Sequence, residues 1–144
     1  PAMDRKLLPP GAGEPWRAGA WRQQLAIHRG NRPVWLEQAA LAADDPLLSS
    51  PLGLAGHPLF ATVWAAAPAL AAAREAALAA ARETAGGHGL ACGVTWLDAP
   101  ADLLVACLLG HDAQSVRALC EALWHTLRAW TAGRPPHRPR IWNT

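Results

Sequence analysis

Lysine is almost missing from this chain: Lys6 stands alone, and every other basic residue among the 13 Lys+Arg is an arginine. Charge of either sign is scarce, at 17% of 144 residues against about 25% in a typical globular domain. That excludes a disordered acidic or basic chain, whose balance is the opposite. The net charge of +2 is too small to call for a nucleic-acid or membrane partner by itself. Cysteine is sparse as well. Cys92, Cys107 and Cys120 are odd in number and widely spaced, which excludes a disulfide framework and suits a reducing cytoplasm. No apolar run is long enough to span a membrane. The longest, residues 59–73, is broken by Thr62 and Pro68 and falls short of the ~20 residues required. Met3-Asp4-Arg5-Lys6 leads into Pro9-Pro10-Gly11 instead of an apolar signal core, so no signal peptide is expected. Pro1-Ala2, ahead of Met3, reads as a cloning scar.

What is present is apolar. Hydrophobic residues make up 51% of the chain, enough for one domain of this length to bury roughly 70% of its unfolded surface. Residues 1–15, rich in proline and glycine, are expected to be irregular. Residues 16–133 read as the folded domain and residues 134–144 as an Arg/Pro-rich tail. Within the domain, residues 21–28 and 34–41 alternate as strands around a Gly30-Asn31 turn, predicting a β-hairpin. Residues 44–58 carry leucines among Pro46, Pro51, Pro58, Gly53 and Gly56. They predict an ordered, packed loop, because proline forbids regular structure and leucine avoids water. A strand over 59–64 follows, then a helix from Pro68 to Thr84 stopped by Gly86-Gly87. Residues 94–97 and 103–109 predict a second hairpin, apolar on both faces and so buried. Val116, Leu119, Cys120, Leu123, Leu127 and Trp130 fall on one helical stripe, predicting a helix from Asp112 as N-cap to about Thr131, with Gly133 beyond its end. The order predicts an α+β fold, rich in antiparallel β-strands, with two α-helices.

Catalytic apparatus does not emerge. Serine occurs only at Ser49, Ser50 and Ser115, outside any Gly-x-Ser-x-Gly elbow. The segment Gly86-Gly87-His88-Gly89-Leu90-Ala91-Cys92-Gly93 lacks the Gly-Lys-Ser/Thr ending of a phosphate cradle and reads as a helix-to-strand connector. Metal-ligating residue types occur at His57, His88, Cys92, Cys107, His111, Cys120, His125 and His137, without ligand spacing. His88 and Cys92, four apart, are the weak candidates. Cys107 and Cys120 read as small core residues, and Asp44-Asp45 and Asp98/Asp102 as turn chemistry. Among the 8 tryptophans, Trp35, Trp64, Trp96 and Trp124 lie in predicted elements and read as core. Trp16, Trp21 and Trp142 lie near the ends and suit interface anchors. The Arg/His tail admits two readings. One is a small regulatory module binding nucleic acid, with binding that falls steeply with salt. The other is a segment docked through Ile141 and Trp142, and it is preferred.

Three stretches then point to a family. Asp45-Pro46-Leu47-Leu48, Ser50-Pro51, Gly53-Leu54-Ala55-Gly56 and Pro58 form the first. Gly93-Val94-Thr95 with Leu104-Val105-Ala106 and Leu109-Gly110 form the second. The third is Arg138-Pro139-Arg140-Ile141-Trp142-Asn143-Thr144, preceded by Ala122-Leu123-Trp124. Together they resemble urease accessory protein D, the UreD/UreH family, in its C-terminal half, from roughly Gly13 onward. The resemblance implies a partial UreD-like β architecture and a non-enzymatic, cytoplasmic scaffold. Such a scaffold binds the urease apoenzyme and the helical UreF, and through UreF the GTPase UreG, in nickel insertion. It implies no stably bound cofactor, nickel in transit at most, and neither nucleic acid nor membrane as partner. Asp45, Pro46, Leu47, Leu48, Gly53, Gly56, Arg138, Arg140 and Trp142 are the partner-binding residues expected from it. Family members are longer, so the chain is read either as a domain fragment or as a reduced homologue.

Overall fold

A computed structural model of the chain describes residues 3–4 and 18–137. The hairpin forms as expected, with β2 (Ala20–Arg29) antiparallel to β3 (Arg32–Ala42). Gly30 supplies the left-handed turn position at φ +62°, which glycine adopts without a Cβ penalty. This pair is a sheet of its own. The second sheet has the order β1-β4-β6-β5, built from β1 (Met3–Asp4), β4 (Leu59–Ala65), β5 (Ala91–Leu97) and β6 (Leu103–Gly110). All of its pairings are antiparallel. The expectation that residues 1–15 are wholly irregular is corrected at one point, because Met3 and Asp4 pair with Val63 and Thr62.

Alternation along β4 and β6 divides the core in two, since successive strand side chains point to opposite faces. Ala61, Val63 and Ala65, with Leu104, Ala106 and Leu108, face the helices. Trp64, Leu103 and Val105 face the other way, where Leu25, Ile27, Val34 and Trp35 of the hairpin close over them. β6 is therefore apolar on both faces because both faces are covered. β5 departs from the same expectation: within it only Trp96 is buried. It lies at the end of the strand order, where among the described residues one side has no neighbouring strand.

The helix expected from Pro68 is interrupted. It splits into α1 (Pro68–Ala72) and α2 (Arg74–Gly86) at Ala73, which departs from helical geometry at φ −106° and ψ 24°. The described residues thus hold three α-helices, not two. α2 presents Ala77, Ala81 and Ala85 to the core, and these small side chains let its backbone approach closely. Thr84 of α2 and Thr126 of the last helix share a hydroxyl–hydroxyl hydrogen bond of 2.8 Å. α3 (Ala113–Ala132) matches its predicted stripe, with Val116, Leu119, Cys120, Leu123 and Leu127 buried and Trp130 packed against the same cluster. Asp112 Oδ1 accepts the Ser115 amide at 2.7 Å, and Gly133 ends the helix at φ +59°. Among the described residues no helix is long and apolar enough to cross a membrane.

The carboxylates of the β5–β6 turn behave as turn residues held by arginines. Arg74 of α2 pairs with Asp98. Arg29, from the end of β2, reaches Asp102 at 3.4 Å and donates to the Ala101 carbonyl at 2.9 Å. Trp64 and Trp96 are buried as expected, whereas Trp35 and Trp124 are half-buried. Trp21, expected as an interface anchor, packs edge-on against Phe60 with ring centres 5.2 Å apart.

Candidate functional site

Proline and leucine between β3 and β4 build a loop that satisfies itself. Asp45 Oδ1 accepts the Leu47 amide at 2.9 Å and caps a single 3-10 turn, Pro46–Leu48. The amides of Ser49 and Ser50 then return to the Pro46 carbonyl. Leu54 donates to the Leu47 carbonyl and Gly56 to the Leu48 carbonyl, each at 2.8 Å, folding the second half of the loop onto the first. Gly53 sits so close to this crossing that a Cβ there would run into the Leu47 carbonyl. Ala55 and Gly56 complete the reversal at φ +49° and +77°, the region that favours glycine.

The backbone is ordered as the sequence suggests and Leu48 and Leu54 are half-buried, but Leu47 and Leu52 are not packed. Leu52 is 96% exposed and Leu47 47% exposed. Hydrogen bonds to the main chain fix this loop, so its leucines are not needed inside to hold it. The expectation of a packed loop is corrected for Leu47 and Leu52. Burying one leucine is worth about 1.5–3 kcal/mol, and here that gain is left unused on an ordered surface.

The loop ends at His57, whose backbone amide and Nδ1 both meet the Leu54 carbonyl, at 2.8 and 2.9 Å. The β4–β6 register pairs Leu59 with Gly110, which carries His57 up to His111 at the far end of β6. Their ring centres are 4.6 Å apart and their planes 30° from parallel. Neither the spacing nor the context of the two histidines signals this meeting in the sequence, because it depends on strand register.

The remaining expected site residues scatter. His88 is exposed in the turn after α2. Cys92, on β5, packs against the helix-side cluster. Burial, followed by the neighbouring Cys107, pushes its thiol pKa up. Cys107 is exposed and so is not the small core residue expected. It lies on the sheet face away from the helices. Partial burial pushes its pKa up and the Glu37 carboxylate adds to this, against the Thr62 hydrogen bond. Both thiols are therefore held in the protonated form, the poorer metal ligand. Glu37 itself accepts from Gln23 Nε2 at 3.0 Å and from Trp35 Nε1 at 3.4 Å, a polar contact on the inner face of the hairpin. Among the described residues no three His, Cys, Asp or Glu side chains converge as a metal site. Arg138, Arg140 and Trp142, together with Trp16, lie outside the described residues.

Fold and loop together describe an α+β module that presents a fixed apolar surface. Comparison with known proteins gives the family. The family model described as UreD urease accessory protein matches residues 9–143. The chain is 35% identical to the urease accessory protein UreD of Dechloromonas aromatica over 133 residues, which is 92% of this chain and 45% of that protein. It is 35% identical to UreD of a Pseudomonas fluorescens strain over 135 residues, covering 94% and 45%. With UreD of Variovorax paradoxus the figures are 34% over 138 residues, covering 94% and 49%. The chain belongs to the UreD family, and it spans about half the length of the curated relatives it matches.

Proposed function

We propose that the chain acts in urease maturation as a non-catalytic scaffold of the cytoplasm. In this reading it binds the urease apoenzyme and the accessory protein UreF, with UreG joining through UreF. Nickel is cargo passing to the urease active site, and the chain holds no cofactor of its own. The observation that carries the reading is the family match over residues 9–143. The loop of residues 44–58 adds to it. Asp45, Pro46, Leu48, Gly53 and Gly56 hold the loop's shape, while Leu47 and Leu52 stand out as contacts for a partner. Arg138, Arg140 and Trp142 extend the proposed contact through the tail.

The test is capture of urease apoenzyme and of UreF, each alone, by the tag-free chain and by the Leu47→Ser/Leu52→Ser variant. Both positions are exposed, so the variant should keep the melting temperature of the parent. The expected result is capture of at least one partner by the parent and its loss in the variant. A folded parent that captures neither partner would overturn the scaffold reading. Undiminished capture by the variant would remove the loop from it.

A further inference from the structure

We propose that the free edge of β3 and the uncovered face of β5 form a docking slot for one further β-strand, supplied by the portion of a UreD polypeptide that this chain does not span. The first observation is a mismatch of width. Trp21 of β2 packs on Phe60 of β4. The Glu37 carboxylate of β3 lies near enough to Cys107 of β6 to add to the rise that burial gives its thiol pKa. The hairpin therefore covers β4 and β6, while β5 lies one strand further out. On the hairpin side of β5, Ala91, Gly93 and Thr95 are exposed, as is Cys107 beside Gly93. A Cβ at Gly93 would meet nothing within 4 Å. Strands lie about 4.8 Å apart within a sheet, and packed sheets about 10 Å apart. One strand added beside β3 would thus lie over β5 and close this gap.

The edges of β3 and β5 also differ. Natural sheets guard an edge with charge, proline or a covering group. On β5, Arg82 of α2 donates to the Val94 carbonyl at 3.2 Å. Along β3, residues 34–42 contain no proline and one charge, Glu37, and among the described residues only β2 pairs with the strand. Glu37 also sets the chemistry of the occupant. Its oxygens accept from Gln23 and Trp35, and among the described residues no arginine or lysine pairs with it. The fitting strand turns one basic side chain toward Glu37, where a charge-assisted hydrogen bond can form, and larger apolar ones over the small floor of Ala91, Gly93 and Thr95. The length of the relatives names its source. The chain spans 45% of the UreD proteins of Dechloromonas aromatica and of a Pseudomonas fluorescens strain, so more than half of each lies outside it. The inference rests on the family match and is independent of the scaffold reading.

The experiment co-expresses the tag-free chain with a tagged polypeptide, the portion of Dechloromonas aromatica UreD outside the match. The readouts are co-purification, hydrogen exchange of the β3 amides and iodoacetamide labelling of Cys107. The variants are Thr95→Arg, at an exposed position on the slot floor, Glu37→Gln, and the loop control Leu47→Ser/Leu52→Ser. A one-to-one complex is expected, with the β3 amides exchanging at least about tenfold more slowly than in the chain alone and Cys107 labelling slowed. Thr95→Arg should abolish the complex, Glu37→Gln should weaken it, and the loop control should keep it. Failure of the parent to co-purify overturns the proposal. So does a complex that leaves the β3 amides and Cys107 as open as before, or one that a folded Thr95→Arg chain retains. Protection of both in the chain alone overturns it too, because the slot would then belong to residues 138–144 or to a second copy, which elution from a calibrated column tells apart.

Discussion

Asp112 shows how much of one element rests on a single carboxylate. Its oxygen accepts the Ser115 amide, satisfying one of the free N–H groups of the first helical turn. Its charge also lies at the positive end of the α3 dipole. Hydrogen bonds from the Ser115 side chain, and then from its backbone, hold the Asp112 pKa below the usual carboxylate range. The folded pKa is thus lower than the unfolded one. The stabilisation is complete above the unfolded value of about 3.9 and is lost as pH falls through the lowered folded value. Asp112→Ala should accordingly lower the melting temperature at neutral pH. The gap between parent and variant should close as the medium is acidified past that range. Melting curves at several pH values check this, and a gap that stayed constant into acid would show that the charge contributes nothing.

The elements differ in how their cores tolerate volume. Leu119 and Leu123 of α3 have no exposed surface. Leu123→Ala should therefore cost about 2–5 kcal/mol, the range for removing a buried leucine. α2 has the opposite vulnerability. Ala77 and Ala81 are equally buried but are small because the helix lies close to its neighbours, so Ala81→Leu should cost about 1–3 kcal/mol through overpacking. Chemical denaturation of both variants reads the two effects, and a neutral Ala81→Leu would mean that the packing there is loose. α3 and the hairpin were the most legible in the sequence, whereas the break at Ala73 between α1 and α2 was not. The α3 stripe repeats at helical spacing over about four turns, and Gly30-Asn31 marks the hairpin locally. The order of elements and the backbone order of the proline-leucine loop followed from the same local signals. Properties that depend on neighbours were not legible. β5 and β6 look alike as apolar runs, and only the strand order leaves β5 at an edge. Cys107 looks like a core residue until the face it occupies is known. The exposure of Leu47 and Leu52 depends on main-chain bonds that composition does not reveal, and the meeting of His57 with His111 depends on the register of β4 against β6.

At the scale of the molecule, the two sheets are not equally anchored. β6 has a strand on each side and an apolar cluster on each face. Among the described residues the β2–β3 hairpin shares no ladder with the other sheet. Side chains join them instead: the cluster around Trp64 and Leu103, Trp21 against Phe60, and Arg29 on the 98–102 turn. A two-stranded hairpin is marginal alone in water, so its stability here is borrowed through those contacts. Native-state hydrogen exchange should then find two levels of protection. The β6 amides should open only with global unfolding, while the central β2 and β3 amides open earlier and exchange at least about tenfold faster. Arg29→Ala should speed exchange in the hairpin and leave β6 unchanged, because Arg29 holds the hairpin to the turn and not to the strand. Equal protection across both sheets, with Arg29→Ala acting on all amides alike, would mean instead that the hairpin and the four-stranded sheet unfold as one cooperative unit.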